Sequence, residues 1–278
     1  MSTAVADAIA QGTLPGRVWM YSNYHCNLTC DYCLTASAPS SAKRELDAQR
    51  MIEIATQAKA LGFTHIGVTG GEPFLLPSMP DTLARLSEIL PTLVLTNGTM
   101  FAPKRMAKVK QLAGKDVALQ ISLDSPDPEA NDEFRGAENF AKVVEAIPRL
   151  VEAGLTVRIA TTAEPGRLSE SDHSRLCALH RSLGVADEDH LVRPIISRGR
   201  ADEQSMGVGI PHHQIPAELT VTADGTYWSP FGPTITGGRL DTDLLISRTS
   251  LPLSVGANAL LGLVQGRPPG EDTQLSIR

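Results

Sequence analysis

Residues 18–33 read VWMYSNYHCNLTCDYC, a short apolar run that leads directly into three closely spaced cysteines. The run 18–24 has the aromatic and β-branched content of a buried strand. Cys26, Cys30 and Cys33 follow it as C-x3-C-x2-C, which places three thiols in one loop behind that strand. Disulfide bonds between cysteines so close in sequence could not stabilise the fold of a chain of 278 residues. Such a group indicates a metal site rather than a disulfide framework.

Five further apolar runs follow along the chain, with helical patterns between them. This alternation is typical of a parallel sheet built from βα units. The predicted strands are 18–24, 64–69, 92–96, 117–123, 155–161 and 191–196. The first predicted helix begins after the N-cap residue Asp47 and ends at Gly62. The other predicted helices span about 81–90, 103–112, 140–153, with a kink at Pro148, and 170–183.

Six βα units are too few for a closed eightfold barrel. The predicted fold class is therefore α/β, a partial (β/α)6 TIM-like barrel with a short C-terminal β-hairpin extension. The site should lie where the strands end and the loops converge. We divide the chain into a tail (1–16), the barrel (17–200) and an extension (201–278) whose hairpin, 219–228, turns at Ala223, Asp224 and Gly225.

Composition excludes several classes of protein. The net charge of -6 makes attraction to nucleic-acid phosphates a poor expectation. No apolar run approaches the roughly 20 residues that a membrane helix needs. The first ten residues contain Asp7 and no basic residue, unlike a secretory signal. We expect a cytoplasmic protein that binds neither nucleic acid nor membrane.

Two metals suit the cysteine loop on residue chemistry alone. An iron-sulfur cluster is normally held by four thiolates, so three thiolates leave one iron open to an outside ligand. The alternative is zinc, completed by a histidine such as His25 or His65. In that case the chain would be a non-catalytic zinc-binding module.

A second motif distinguishes these alternatives. Gly70, Gly71, Glu72 and Pro73 follow the second predicted strand, and Tyr32 stands just before the third cysteine. With these motifs the chain resembles the radical S-adenosylmethionine (radical SAM) superfamily. The resemblance implies one 4Fe-4S cluster on the three cysteines, and a GGEP motif that contacts the methionine part of S-adenosylmethionine. A carboxylate such as Glu72 can accept hydrogen bonds from the cofactor ammonium.

Weaker matches follow in the family's order. Thr96, Asn97 and Gly98 resemble its TNG turn, and Ser122 and Asp124 end the fourth strand where the family's polar side chains meet the cofactor. Arg135, in a stretch similar to the branch with molybdenum-cofactor and peptide-maturing members, would clamp the cofactor carboxylate. The alternatives are a helix N-cap for Asp124 and a solvated surface charge for Arg135.

The C-terminal part departs from the branch that carries auxiliary clusters. Trp228, Ser229 and Pro230 occupy the place of that branch's cysteine, and no cysteine follows Cys177. An auxiliary cluster with the family's ligands therefore cannot be built. We interpret Cys177, among helical leucines, as a small buried hydrophobe rather than a hydrogen-atom donor.

Three further residues are candidates for substrate contact. Arg193 is a charge within an apolar strand and needs a partner. His212 and His213 lie in a loop, where contact and simple exposure are both open.

The resemblance also implies an activity. Such an enzyme cleaves S-adenosylmethionine reductively to methionine and a 5'-deoxyadenosyl radical, which abstracts a hydrogen atom from a substrate in a biosynthetic oxidation, rearrangement or epimerisation. A flavodoxin or ferredoxin would donate the electron. Only about seventeen residues precede the first strand, so we expect a small polar metabolite rather than a peptide. The alternative is a peptide-modifying maturase that uses a separate recognition protein.

Overall fold

The computed structural model describes residues 3–266. Its centre is a run of six parallel strands in sequence order, each joined to the next through at least one helix. The strands are β1 (Arg17–Tyr21), β2 (His65–Thr69), β3 (Thr92–Thr96), β4 (Val117–Ser122), β5 (Thr156–Ala163) and β6 (His190–Pro194). The six predicted strands are confirmed, with ends that differ by a few residues. The sheet does not close, so the partial barrel is confirmed as well.

Nine α-helices lie within the described residues. They are α1 (Ala4–Ala10), α2 (Ala48–Ala60), α3 (Met79–Ser87), α4 (Pro103–Val109), α5 (Pro128–Arg135), α6 (Asn139–Glu152), α7 (Glu170–Ser182), α8 (Arg200–Glu203) and α9 (Leu253–Gln265). Asp47 caps α2 as predicted, since its carboxylate accepts a hydrogen bond of 2.8 Å from the Arg50 amide. Gly62 follows this helix with a φ of +94°, a conformation that suits glycine. Pro148 lies inside α6, which continues through it.

The predicted C-terminal hairpin is present as β7 (Thr220–Thr222) and β8 (Gly225–Tyr227). It extends the barrel sheet, because β7 pairs in parallel with β1 on the side away from β2. β11 (Leu245–Ser247) then pairs with β8, while β9 (Ile235–Thr236) and β10 (Arg239–Leu240) form a separate small ribbon. β6 and β11 are therefore the two edges of the main sheet.

Residues 4–10 of the predicted N-terminal tail form α1. Its N-cap is Thr3, whose hydroxyl accepts from the Ala6 amide. Val5 and Ala8 are buried, and α1 packs against α9. The short α1 and the loop-flanked α5 and α9 were missed because they lie outside the regular βα alternation. Between residues 3 and 266, no helix has both the length and the apolar character needed to cross a bilayer.

Candidate active site

The cysteine loop lies at the C-terminal end of β1 and opens onto a cavity of about 310 Å³ inside the partial barrel. Cys26, Cys30 and Cys33 all line this cavity and all are free thiols. The cysteine loop lies there because it follows β1, and the loops after parallel strands meet at one edge of the sheet. The three predicted metal ligands are thus brought together.

Arg200 fixes the backbone of the cysteine loop. Its Nη1 donates to the Cys30 carbonyl at 2.6 Å, its Nη2 to the Ser37 carbonyl at 2.8 Å, and its backbone amide to the Cys33 carbonyl at 3.0 Å. Charge-assisted hydrogen bonds from one planar group hold a loop in a defined shape. Sequence reasoning missed Arg200, since it lies in an aperiodic segment far from the cysteines.

The C-terminal segment closes the cavity from another side. The Tyr21 hydroxyl donates to the Pro230 carbonyl at 2.6 Å, and Pro230 and Phe231 line the cavity. The Ile235 amide donates to the Thr35 carbonyl of the cysteine loop at 3.1 Å. The segment that lacks an auxiliary-cluster cysteine is therefore a wall of the same cavity.

Gly70 and Gly71 line the cavity and bring the second strand's loop against the cysteine loop. The Gly71 amide donates to the Asn23 carbonyl and the Glu72 amide to the His25 carbonyl, both at 2.9 Å. A Cβ at Gly71 would lie 2.1 Å from the His25 carbonyl oxygen. The closest neighbour of these glycines is thus the chain itself.

The Glu72 side chain is fully buried, and three protein donors surround it. Its carboxylate accepts from the Phe74 amide at 3.0 Å, from the Thr96 hydroxyl at 2.8 Å and from the Asn97 amide at 2.8 Å. Burial raises the pKa of this carboxyl, and the hydrogen bonds oppose the rise. Glu72 does not line the cavity. In this structure it ties the ends of β2 and β3 together, and its contact with a cofactor ammonium stays a prediction.

Asn97 lies between the two motifs, as the resemblance implies. Its side-chain amide donates to Asn27 Oδ1 at 3.0 Å and lies 3.8 Å from Cys26 Sγ, while its carbonyl oxygen accepts from Thr99. Asn97 and Ser122 line the cavity. Direct contact of either with the cofactor stays a prediction.

Tyr32, Asp124 and Arg135 form a buried polar cluster behind the cysteine loop. The Tyr32 hydroxyl bonds both the Asp124 carboxylate and Arg135 Nη1. Arg135 Nη1 lies 3.1 Å from Asp124, with both side chains only 5% exposed. Tyr32 and Arg135 line the cavity, and burial raises the pKa of Tyr32 well above its usual value.

This cluster corrects two interpretations. Arg135 is not a solvated surface charge, because Asp124 and the surrounding chain enclose it. Asp124 is not a helix cap either, since Asp127 caps α5 and Asp124 accepts from the Thr162 amide at 2.9 Å. If Arg135 binds a cofactor carboxylate, its guanidinium must contact that carboxylate and Asp124 at the same time. Binding of the cofactor by Arg135 stays a prediction.

The three candidate substrate residues separate into two groups. Arg193 lines the cavity, and its Nε and Nη2 are buried without a hydrogen-bond partner. Burial first, and then the Arg17 charge, lower the pKa of Arg193 to about 10. His212 and His213 are exposed in a short turn outside the cavity, with the His212 ring 5.1 Å from that of Trp228. The structure therefore brings only Arg193 to the cavity.

The interpretation of Cys177 as a buried hydrophobe is wrong. Cys177 is half-buried and its sulfur faces two histidines rather than the leucines of α7. The helix turns Leu176 and His180 toward the sheet instead.

The donor set at the cavity fits an iron-sulfur cluster with one iron left for S-adenosylmethionine. The cavity is lined by three thiols, and the remaining cysteine, Cys177, lies on α7 outside it. Burial raises the pKa of Cys26 to about 12, so bound iron must supply the positive charge that keeps it a thiolate. His65, one of the two histidines considered for zinc, starts β2 opposite Arg17 and so lies at the other end of the sheet. It cannot complete a zinc site with these cysteines.

Residues 20–175 match the sequence profile of the Radical SAM superfamily. The chain is 34% identical over 131 residues to a probable GTP 3',8-cyclase of Archaeoglobus fulgidus. The aligned region covers 47% of this chain and 43% of that protein. It is 33% identical over 135 residues to mycofactocin maturase MftC of Mycolicibacterium smegmatis, and this alignment covers 48% of this chain and 33% of the maturase. The chain thus spans less than half the length of these relatives.

Solved structures show the same fold. Streptococcus suis SuiB bound to S-adenosylmethionine superposes with a TM-score of 0.54 at 20% identity, covering 65% of this chain and 41% of SuiB. This identity supports the architecture alone.

Proposed function

The chain belongs to the radical SAM superfamily, whose enzymes use a 4Fe-4S cluster and S-adenosylmethionine, and from this we propose that it abstracts a hydrogen atom from a small polar metabolite that carries an anionic group. A cluster held by Cys26, Cys30 and Cys33 would supply the electron, taken from a flavodoxin or ferredoxin, for the reductive cleavage of S-adenosylmethionine to methionine and a 5'-deoxyadenosyl radical that would abstract the substrate hydrogen.

The Arg193 guanidinium in the cavity carries this proposal. The Glu218 carboxylate interacts electrostatically with both Arg193 and Arg17. It also accepts a hydrogen bond of 2.6 Å from the Trp19 indole. Arg193 thus shares the charge of Glu218 with Arg17. A buried guanidinium with two unsatisfied nitrogens is stabilised by an anionic partner, and its planar fork suits a carboxylate or a phosphate.

The remaining wall of the cavity supports radical chemistry. Trp19, Tyr21, Leu191 and Phe231 present apolar surface beside Arg193. Such a wall excludes water and other hydrogen donors from a reactive intermediate, while a single anchored charge fixes the substrate's orientation. In this arrangement Arg193 binds and orients the anionic substrate, and the apolar wall protects the substrate radical from water.

Anaerobic turnover tests this proposal. Reconstituted enzyme is incubated with S-adenosylmethionine, a reductant and pools of anionic metabolites, and mass spectrometry follows 5'-deoxyadenosine together with any consumed compound. We expect Arg193→Gln to retain whatever cofactor cleavage occurs without substrate, and to lose the stimulation of this cleavage by substrate. Arg149→Gln, an exposed arginine on α6, is the control.

Equal substrate stimulation in Arg193→Gln and in Arg149→Gln would show that the anion site is assigned wrongly. A protein that binds no cluster under reconstitution would contradict the radical chemistry itself.

A peptide substrate is the second candidate. The mycofactocin maturase similarity favours it, and so does β6, an edge strand on which Val192 is 40% exposed. An extended peptide can add to such an edge through main-chain hydrogen bonds. Co-purification with a small acidic or basic peptide, and stimulation of turnover by that peptide alone, would favour this candidate over a metabolite.

A further inference from the structure

Three metal-binding side chains converge outside the cavity, where α7 packs against the edge strand β6. Cys177 Sγ lies 3.9 Å from His173 Nδ1 and 3.9 Å from His190 Nδ1. One ligand atom from each residue lies within 4.8 Å of the others. His190 starts β6 and turns its ring toward α7, whereas Arg193, of opposite parity on the strand, lines the cavity. The group is therefore separate from the cysteine loop.

The hydrogen bonds of His190 settle its tautomer. The Thr161 hydroxyl donates its single proton to the Leu123 carbonyl at 2.7 Å. It must therefore accept from His190 Nε2, which lies 2.9 Å away. The proton is on Nε2, and the lone pair of Nδ1 faces Cys177. A ligating histidine whose other nitrogen donates to a fixed acceptor is the usual arrangement around a bound metal.

The spacing suits a tetrahedral ion. With Zn–S near 2.3 Å and Zn–N near 2.0 Å, neighbouring S and N ligands lie about 3.6 Å apart. The sulfur-to-nitrogen distances of 3.9 Å exceed this by a few tenths of an ångström. Two imidazoles and one thiolate are ligands that zinc prefers.

Helix α7 buries fewer of its residues against the sheet than α6 does. Within its thirteen residues, only Leu176 and His180 are buried, whereas α6 buries five of fourteen. His180 is completely buried, its ring centroid is 4.3 Å from that of His190, and neither of its ring nitrogens has a hydrogen-bond partner. Histidine side chains thus lie between α7 and the sheet, whereas mainly apolar side chains lie between α6 and the sheet.

We propose that His173, Cys177 and His190 bind one Zn²⁺, which cross-links α7 to the sheet edge at a site distinct from the iron-sulfur cluster. Three protein ligands leave a fourth coordination position. The proposal does not depend on the substrate or on the radical reaction.

Metal counting tests it on the full chain after cluster reconstitution, when iron occupies the thiols of the cysteine loop. The protein is titrated with Zn²⁺ against a competing chelator, and zinc and iron are measured in the same sample. We expect about one zinc per chain in addition to the cluster iron. Cys177→Ala and His173→Ala should weaken zinc binding at least about 100-fold, and Thr161→Val, which removes the acceptor for His190, about 10- to 100-fold.

Ser174→Ala, on the exposed side of α7, is the matched control and should bind zinc as the unchanged chain does. His173 is exposed, so its replacement leaves the packing of the core intact. Iron content should stay the same in all variants. A zinc content equal in the unchanged chain, Cys177→Ala and His173→Ala would overturn the proposal, as would a reconstituted chain that binds no zinc.

Discussion

At the scale of single residues, the side chains of the cavity divide into those that face it and those that hold the facing ones in place. Cys26, Gly71, Asn97 and Arg193 face the cavity. Glu72 and Asp124 lie behind it and take their hydrogen bonds from the protein. Buried carboxylates of this kind are stable only while every donor around them is kept.

Glu72→Gln tests this division. The amide would turn an NH2 group toward donors that now meet a carboxylate oxygen, so we expect a loss of about 1–3 kcal/mol in the free energy of unfolding. Affinity for S-adenosylmethionine should fall too, with the cluster intact. Thermal denaturation and calorimetric titration measure the two effects separately. Unchanged cofactor affinity in a destabilised variant would restrict Glu72 to a positioning role.

Arg200→Lys tests the support of the cysteine loop. A lysine ammonium cannot reproduce the two guanidinium bonds to the Cys30 and Ser37 carbonyls, although the bond of the backbone amide survives. We expect the variant to bind cluster iron but to lose it several-fold faster on exposure to air. Arg239→Lys, at an exposed position of β10, is the control. Identical rates of cluster loss in the two variants would contradict the assignment.

At the scale of elements, the site depends on how closely two loops approach each other. The loop after β2 meets the loop after β1 through two backbone hydrogen bonds, and Gly71 has no room for a side chain there. Interactions between loops, rather than those within them, therefore set the relative position of the two sequence motifs.

Gly71→Ala should separate these loops. Its Cβ would lie 2.1 Å from a backbone oxygen that cannot yield cheaply, so we expect a destabilisation of at least about 2 kcal/mol and a large loss of cofactor cleavage. Gly209→Ala is the matched control, because nothing lies within 4 Å of a Cβ there. Denaturant unfolding and 5'-deoxyadenosine formation are the measurements. Similar behaviour of the two variants would show that the close approach is unimportant.

At the scale of the whole molecule, the open sheet is extended on one side by the C-terminal hairpin and ends on the other at β6. The residues after this hairpin close the cavity with Pro230 and Phe231 and also contact the cysteine loop. The C-terminal segment therefore forms part of the wall of the cavity that the cysteine loop lines.

The iron content follows from this organisation. We expect about four iron and four sulfide per chain after anaerobic reconstitution, because a single group of three thiols lines the cavity. Replacing Cys26, Cys30 or Cys33 by Ala should abolish cofactor cleavage, whereas Cys177→Ala should retain it. Reproducible values near eight iron would point to a second cluster.

The sequence by itself identified the six strands of the partial barrel, the three cysteines as candidate metal ligands and the family. It could do so because strand periodicity and motif spacing are local properties of the chain, and because Cys26, Cys30 and Cys33 lie within one loop. Local patterns also identified the Asp47 cap and the hairpin after residue 219.

Only the tertiary structure decided the roles that depend on residues distant in sequence. Arg200 reaches back to Cys30, Arg135 is enclosed by Asp124 and Tyr32, and His190 meets Cys177 across the interface between a helix and a strand. His212 and His213 had the right chemistry for a site but lie outside the cavity. The physical reason is that hydrogen bonds, burial and metal coordination depend on distances in space. The path of the folded backbone sets those distances, and periodicity along the chain does not record them.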